Sequence, residues 1–227
     1  MGPISYLTDQ VMIPFLTFSY THIFPNYGVA ILLLTLVIKL LFYPLTKKQF
    51  ESMKVTQKIQ PEMKKLQEKY KGKPEKLHEE MKKLWKEHNA NPLGGCLPAL
   101  VQLPFFFAVF YTVKSPAFLA LVLAPGINHG LFTFWLSDLT LPDKMYLLPI
   151  LIAVSTYLSQ KMMVMEQSQK ALMTVMPVVM FVVCLKMPAG VLLYWAASQL
   201  ISTLQQYLVV NPLGSSKNFV VIKETEA

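Results

Sequence analysis

The stretch YGVAILLLTLVIKLLFYPL, residues 27–45, is almost wholly apolar and carries a single charge, Lys39. A lysine near the middle of a membrane costs roughly 2.5–3.5 kcal/mol on insertion scales, so it persists only where water, a partner or a substrate compensates it. Lys39 lies too far from either end of the stretch for its side chain to reach the interface comfortably. No Asp or Glu lies in any apolar span. Lys39 therefore predicts a wet, polar cavity inside the membrane.

The composition is that of a membrane protein with one basic segment. Of the 227 residues, 53% are hydrophobic, and the net charge of +8 comes from lysine because the sequence contains no arginine. Thirteen lysines and seven glutamates lie within residues 47–97, whereas residues 1–26 contain no lysine. Basic chains also bind nucleic acids, but lysines clustered between apolar spans are the positive-inside signal of membrane topology. We therefore expect no direct contact with nucleic acid.

Long apolar runs predict an all-α integral membrane protein with five transmembrane helices. The lysine-rich segment places the N-terminus outside and the C-terminus inside, with an outer loop at 115–144 that rests on the membrane surface, an inner loop at 162–170 and a short cytosolic tail at 211–227. The odd number of spans and the lack of an internal repeat argue against the paired repeats of many transporters. The predicted spans are residues 27–46, 97–114, 145–161, 171–187 and 190–210.

Two further segments flank the first span. Residues 1–26 are apolar with scattered polar groups, which predicts an interfacial segment on the outer face, and Pro14 is expected to interrupt any helix there. Between residues 47 and 96, apolar side chains recur at helical steps on both sides of Gly72, which predicts an antiparallel helical hairpin in the cytosol. The alternative for this second segment is a solvated, charged linker.

Polar side chains predict an intramembrane groove around Lys39. Thr35 lies four residues before Lys39 and therefore on the same helical face. Such side chains also serve as ordinary hydrogen bonds between membrane helices, but together with an unpaired lysine they favour a hydrated groove that opens on the inner side. The polar residues of the third and fifth spans are Thr156, Ser159, Gln160, Tyr194, Trp195, Ser198, Gln199, Ser202, Gln205 and Gln206.

The sequence shows no pattern of an enzyme active site. The four histidines lie outside the spans, and no phosphate-binding loop is present. Cys96 and Cys184 are expected near opposite faces of the bilayer, too far apart for a disulfide, and neither has the spacing of a metal ligand. We expect no enzymatic activity, cofactor or metal. Methionines near the fourth span suit a surface that accepts varied apolar partners, although ordinary packing accounts for them equally well.

A series of short motifs runs through the chain in order. It consists of YPLT (43–46), QPE (60–62), NPLGGCLP (91–98), QLP (102–104), LPIL (148–151), QKM (160–162), MP (176–177), PAG (188–190) and LYW (193–195). Over roughly residues 20–212 this series resembles the YidC-type membrane protein insertases, the family that includes the organellar Oxa and Albino proteins.

The resemblance implies a five-helix bundle whose groove is open to the cytosol and to lipid but closed outside. It further implies that short hydrophilic segments of nascent membrane proteins move through this positively charged groove while apolar helices are released into the bilayer. Lys39 occupies the position where the family usually has an arginine. The other implied site residues are Thr35, Gln160, Tyr194 and Trp195 in the groove, Phe105, Phe106, Met176 and Met180 on an apolar path, and Leu84 and Trp85 as contacts of the hairpin.

The implied partners are nascent membrane proteins and the lipid bilayer, and candidates are the Sec translocon, the signal recognition particle pathway and the ribosome. The implied location is the bacterial inner membrane, as a multi-pass protein. Larger bacterial members have an additional N-terminal span and outer domain, which this sequence lacks, and many have a long basic C-terminal tail where this one is short. Two other hypotheses stay open: a small-solute transporter that uses Lys39, and a non-catalytic assembly factor that acts through the hairpin.

Overall fold

The computed structural model describes residues 3–88, 90, 97–124, 127, 130–131, 135–162 and 170–210, and the predicted all-α fold is confirmed within them. The NPLGGC part of the motif at 91–98, most of the inner loop and the predicted tail lie outside these residues. The elements are α1 (Pro3–Leu7), a π-helical turn (Thr8–Met12), α2 (Ile13–His22), α3 (Tyr27–Leu41), α4 (Tyr43–Lys58), α5 (Gln60–Lys69), α6 (Pro74–Glu87), α7 (Leu97–Lys114), α8 (Pro116–Val122), α9 (Leu147–Lys161), α10 (Lys170–Cys184) and α11 (Ala189–Val210).

Helix α11 is the centre of the bundle. It packs against α3, α4, α7 and α9, while α10 packs on α9 and α2 packs on α3. The core between these helices is aliphatic and aromatic, with Ile31, Phe118, Ile152 and Leu192 almost completely buried. Every other helix of the bundle is therefore positioned directly or indirectly by α11.

The first apolar stretch bends at Phe42. Helix α3 ends at Leu41 and α4 begins at Tyr43, with an angle of 64° between them. Pro44 has no N–H to donate back along the helix, and its ring crowds the carbonyl of the preceding turn. The predicted span 27–46 is therefore not one straight helix, because its last residues belong to α4.

Within the described residues, no single helix is both long and apolar enough to cross a membrane unaided. Two bent pairs of helices are long and apolar enough when the two helices of each pair are taken together. One pair is α3 with α4, and the other is Leu100–Lys114 with α8, which are bent by 59°.

The start of the predicted outer loop is a helix that belongs to the core. Ser115 caps α8 by accepting a hydrogen bond from the backbone N–H of Phe118 at 3.1 Å. Phe118 and Val122 are 0% and 1% exposed. One face of α8 therefore packs into the core, and the position of residues 115–144 at the membrane surface remains a prediction.

The end of the same loop caps the N-terminus of α11. The backbone N–H groups of Ala189 and Gly190 donate to the carbonyl oxygens of Leu141 and Leu139, at 2.7 and 2.8 Å. The first N–H groups of a helix have no partner inside the helix, so these bonds satisfy donors that burial would otherwise leave unpaired.

A buried carboxylate caps α9 from the same loop. Asp143 is 3% exposed and accepts hydrogen bonds from the backbone N–H groups of Met145 and Leu148 and from Nε1 of Trp135. A negative charge at a helix N-terminus is favourable because it faces the positive end of the helix dipole. Residues 135–148 thus join the N-terminal ends of α9 and α11.

The N-terminal segment is helical past Pro14, contrary to the predicted interruption. The π-helical turn comes just before Pro14, and wider turns of this kind accommodate a residue that cannot donate. One face packs on the bundle through Met12 and Leu16, which are each 1% exposed, while Tyr6 and Phe18 point outward. Its position at the membrane interface remains a prediction.

The lysine-rich segment contains a hairpin with its own small core. Helices α5 and α6 pack against each other around a turn at Gly72. Ile59, Met63, Met81 and Leu84 fill the space between them. The apolar side chains whose spacing predicts these helices therefore pack against one another inside the hairpin.

Replacing Gly72 by alanine should loosen the hairpin. The φ angle of Gly72 is 84°, and an added Cβ would meet no atom within 4 Å, so the effect is one of backbone conformation alone. A residue with a Cβ pays about 1–2 kcal/mol in this region, which corresponds to a 5- to 30-fold larger open population. Limited trypsin digestion of the full chain should show this increase for Gly72→Ala. Asparagine tolerates positive φ better than alanine, so the cleavage rate of Gly72→Asn should lie between those of Gly72→Ala and the unmodified chain. Equal cleavage of all three proteins would contradict the expectation.

Candidate functional site

The ammonium of Lys39 is buried among three helices. Lys39 is on α3, one turn before the bend, and is 9% exposed. Its Nζ donates hydrogen bonds to Oε1 of Gln102 on α7 at 3.0 Å and to Oγ of Ser202 on α11 at 2.7 Å. None of the ion pairs formed among the described residues involves Lys39. Within the described residues, the charge is therefore solvated by neutral acceptors and is paired with no carboxylate.

Gln102 connects Lys39 to Tyr194. The amide Nε2 of Gln102 donates to the phenolic oxygen of Tyr194, which is 1% exposed. Because the amide oxygen is used by Lys39 and the amide nitrogen by Tyr194, the orientation of the Gln102 side chain is fixed. The polar network thus links α3, α7 and α11 at one level of the bundle.

A small recess lies beside this network and is called the Lys39 recess below. Its volume is about 30 Å³, the space of about two water molecules. The side chains of α3, α4, α7 and α11 leave only this space beside the ammonium. Its walls are Ile38, Lys39, Phe42, Thr46, Gln49, Val101, Gln102, Phe105 and Ser202.

Of the four groove residues that the resemblance implies besides Lys39, namely Thr35, Gln160, Tyr194 and Trp195, only Tyr194 joins Lys39 in the network. Thr35 is fully buried and donates to the carbonyl of Ile31 in its own helix at 2.7 Å, so its hydroxyl is used within α3. Trp195 packs edge-on against Phe106, with ring centroids 5.0 Å apart. Neither Thr35 nor Trp195 lines the Lys39 recess.

Gln160 lies on α9, away from the walls of the Lys39 recess. Its Oε1 is buried and has no hydrogen-bond partner in the part of the chain that the structure describes. The neighbouring Ser159 donates from Oγ to Oε1 of Gln206 at 2.6 Å, and Nε2 of Gln206 donates to the carbonyl of Ser159 at 3.2 Å. The hydrogen bonds between Ser159 and Gln206 are therefore ordinary bonds between two helices of the bundle.

The predicted apolar path is divided between two helices. Phe105 of α7 lines the Lys39 recess and packs edge-on against Phe42, with ring centroids 5.0 Å apart. Met176 and Met180 of α10 are partly buried, and α10 packs on α9. The outward face of α10 is formed by valines: Val175, Val178, Val179, Val182 and Val183.

The predicted hairpin contact is wrong for Leu84. Leu84 is 7% exposed because its side chain belongs to the core between α5 and α6. Trp85 is partly buried and packs against the same core. Of the two, Trp85 alone presents a partly exposed surface.

Gln102 and Ser202 are not among the site residues that the sequence predicts. Gln102 is the one amide in the otherwise apolar start of α7, and an isolated amide in an apolar helix is a signal for a buried partner. Ser202 belongs to the polar pattern of the fifth span, but nothing in that pattern separates it from its neighbours. Only the packing of α11 against α3 distinguishes it.

The chain matches the model of the family described as 60Kd inner membrane protein over residues 18–216. The chain belongs to this family. Its relatives include proteins named membrane protein insertase YidC. The one from Geotalea daltonii is 40% identical over 191 residues, which cover 83% of this chain and 34% of that protein. The one from Geobacter sulfurreducens is 38% identical over 194 residues, which cover 85% and 35%. The chain therefore spans about a third of the length of these relatives.

A crystal structure of an active YidC insertase with its first transmembrane domain resolved has the same fold. The TM-score is 0.70 at 26% sequence identity, covering 91% of this chain and 47% of that one. The predicted membership of the YidC-type family is confirmed, and so is the predicted location in the bacterial inner membrane.

A double-mutant cycle should reveal the coupling between Lys39 and Gln102. Gln102→Leu removes an acceptor from a buried charge, which costs about 1–3 kcal/mol, so thermal unfolding in detergent should occur at a lower temperature. In a Lys39→Met background the same substitution should cost much less, because no charge remains to be solvated. An equal cost in both backgrounds would contradict the hydrogen bond as a source of stability.

Proposed function

We propose that this chain is a membrane protein insertase. It passes short hydrophilic segments of nascent membrane proteins by Lys39 and releases their apolar helices into the bilayer. The observation that carries this proposal is the buried, uncompensated ammonium of Lys39 at the junction of α3, α7 and α11. Membership of a family whose relatives are named insertases supports it.

The proposed orientation has the N-terminus outside and the C-terminus inside, with α3, α7, α9, α10 and α11 contributing the five spans. The lysines between residues 47 and 97 support a cytosolic hairpin. In this orientation, the segment 135–148 that caps α9 and α11 lies on the outer side. The Lys39 recess lies nearer the inner side, beside the bend at Phe42.

Lys39 acts in this proposal as an electrostatic anchor. An ammonium has three donors, and Gln102 and Ser202 accept from two of them. A carboxylate on an entering segment takes the third or displaces one of the neutral acceptors. Attraction between opposite charges is stronger where water is scarce, which offsets part of the cost of bringing a polar segment into the membrane.

Lysine in place of the usual arginine determines which mechanism operates. Lysine is a point charge, whereas arginine grips carboxylates with a planar, two-pronged geometry. The chain therefore relies on positive potential and not on bidentate recognition. The same reasoning predicts that arginine at position 39 is tolerated.

Entry of a polypeptide segment requires the Lys39 recess to widen, because about 30 Å³ does not accommodate one. The contact between Phe42 and Phe105 lies at its wall and joins α7 to the bend between α3 and α4. Rotation of α4 about Phe42 separates this pair. The bend is thus the proposed point of opening.

Release follows the apolar faces of α7 and α10, with Phe105, Phe106, Met176 and Met180 as contacts for the departing helix. Hydrophobic transfer into lipid and the membrane potential drive this step without a nucleotide or other cofactor. The hairpin serves as the docking surface for the Sec translocon, the signal recognition particle pathway or the ribosome, with Trp85 as its partly exposed aromatic residue.

Substitution of Lys39 tests the proposal. Liposomes containing the purified chain should insert a single-span substrate with an acidic N-terminal tail, measured by protection of the tail from protease. Insertion should survive in Lys39→Arg, fall about tenfold in Lys39→Ala, as the loss of about 1.4 kcal/mol of charge attraction requires, and fail in Lys39→Glu.

Two controls separate the outcomes. Lys48→Ala removes a lysine that does not line the Lys39 recess and should leave insertion unchanged. A substrate with a neutral tail should be insensitive to Lys39→Ala. Equal insertion by every variant would remove Lys39 from the mechanism, and failure of the unmodified chain would overturn the insertase proposal.

A further inference from the structure

A second recess lies on an adjacent face of α4, where this helix meets α11. Its volume is about 50 Å³. Tyr43, Lys47 and Phe50 line it from α4, and Gln205, Leu208 and Val209 line it from the end of α11. It is called the α4–α11 recess below.

The residues around this recess include polar side chains, although the surface of the recess itself is mostly apolar. Lys47 supplies an ammonium whose only ion-pair partner among the described residues is Glu51, at a loose 4.0 Å with both side chains about half exposed. Tyr43 is 47% exposed and carries a phenol. The amide oxygen of Gln205 is buried and accepts no hydrogen bond from any described residue. The residues around the recess thus offer a cation and a hydroxyl donor beside an apolar surface.

An exposed apolar stripe leads away from the recess along α11. Leu200, Leu204 and Leu208 are 43%, 59% and 39% exposed. Their spacing of four residues puts them on one face of the helix, over a length of about 12 Å at 1.5 Å per residue. The stripe starts at the recess with Leu208 and runs towards the middle of the bundle.

We propose that the α4–α11 recess binds a glycerophospholipid. The phosphate contacts Lys47 and Tyr43. One acyl chain lies along the stripe formed by Leu208, Leu204 and Leu200. Lys47 is the first lysine after the apolar stretch 27–45 ends, which is the level at which headgroups are expected. The lipid site is separate from the Lys39 recess. It rests on the proposed function only through the proposed orientation, which assigns the lipid to the inner leaflet.

The apolar stripe is the reason to assign a lipid and not a free phosphate. A soluble phosphate ester gains nothing from three exposed leucines, whereas an acyl chain covers them. Glu51 opposes an anion at this position, since it is the carboxylate nearest Lys47 among the described ion pairs. Neutralising Glu51 should therefore tighten binding of the same lipid.

Native mass spectrometry of the full chain in detergent tests the proposal. The probe is phosphatidylglycerol, added at increasing mole fraction, and the readout is the number of lipids retained per chain. One lipid should be retained preferentially, and Lys47→Gln should lower its retention about fivefold, the effect of about 1 kcal/mol for one lysine near an anionic lipid. Glu51→Gln should raise it.

Lys48→Gln is the matched control, since it removes the same charge from the adjacent position, which does not line the recess. It should leave retention unchanged. Equal losses for Lys47→Gln and Lys48→Gln would overturn the site in favour of diffuse attraction to lysine. Competition by soluble glycerol phosphate as strong as that by the lipid would overturn the assignment of a lipid. Neither result depends on insertion activity, so the insertase proposal is judged separately.

Discussion

A buried ammonium needs acceptors on every side, and this requirement fixes the centre of the molecule. Lys39 obtains its acceptors from Gln102 on α7 and Ser202 on α11, and Tyr194 then holds the amide of Gln102 in place. Removing one acceptor leaves a charge poorly solvated at low dielectric, which is far more costly than losing an ordinary contact. The charge thus sets the relative positions of three helices as well as the chemistry of the recess.

The two ends of the bundle are held in different ways. At the end opposite Lys39, residues 135–148 cap α9 and α11 through backbone carbonyls and the buried carboxylate of Asp143. The N-terminus of α3 is tied to the same loop, because the side chain of Asn26 donates to the carbonyl of Gly130. At the Lys39 end, α3 instead continues through a bend at Phe42. One end is therefore held by caps, whereas the other has the bend at Phe42, which is the proposed point of opening.

The sequence predicts those features that depend on local pattern. The helices, the hairpin around Gly72 and the importance of Lys39 follow from apolar periodicity, from a glycine stop signal and from one isolated charge. It does not predict the partners Gln102 and Ser202, since they come from α7 and α11, far away in the chain. The burial of Phe118 and Leu84 depends likewise on how distant segments pack. The bend at Phe42 has a visible local cause, Pro44, but the extent of α4 beyond it depends on packing against α11.

Helix α4 connects the two recesses physically. Thr46 and Gln49 line the Lys39 recess, while Tyr43, Lys47 and Phe50 line the α4–α11 recess on an adjacent face of the same helix. Because a helix turns as a unit, rotation about Phe42 that widens one recess changes the shape of the other. A ligand that binds better to one orientation of α4 must therefore alter affinity at the second recess, and by thermodynamic linkage the effect is reciprocal. A lipid against Lys47 and a carboxylate at Lys39 would thus be coupled through a single helix, with no contact between the two ligands.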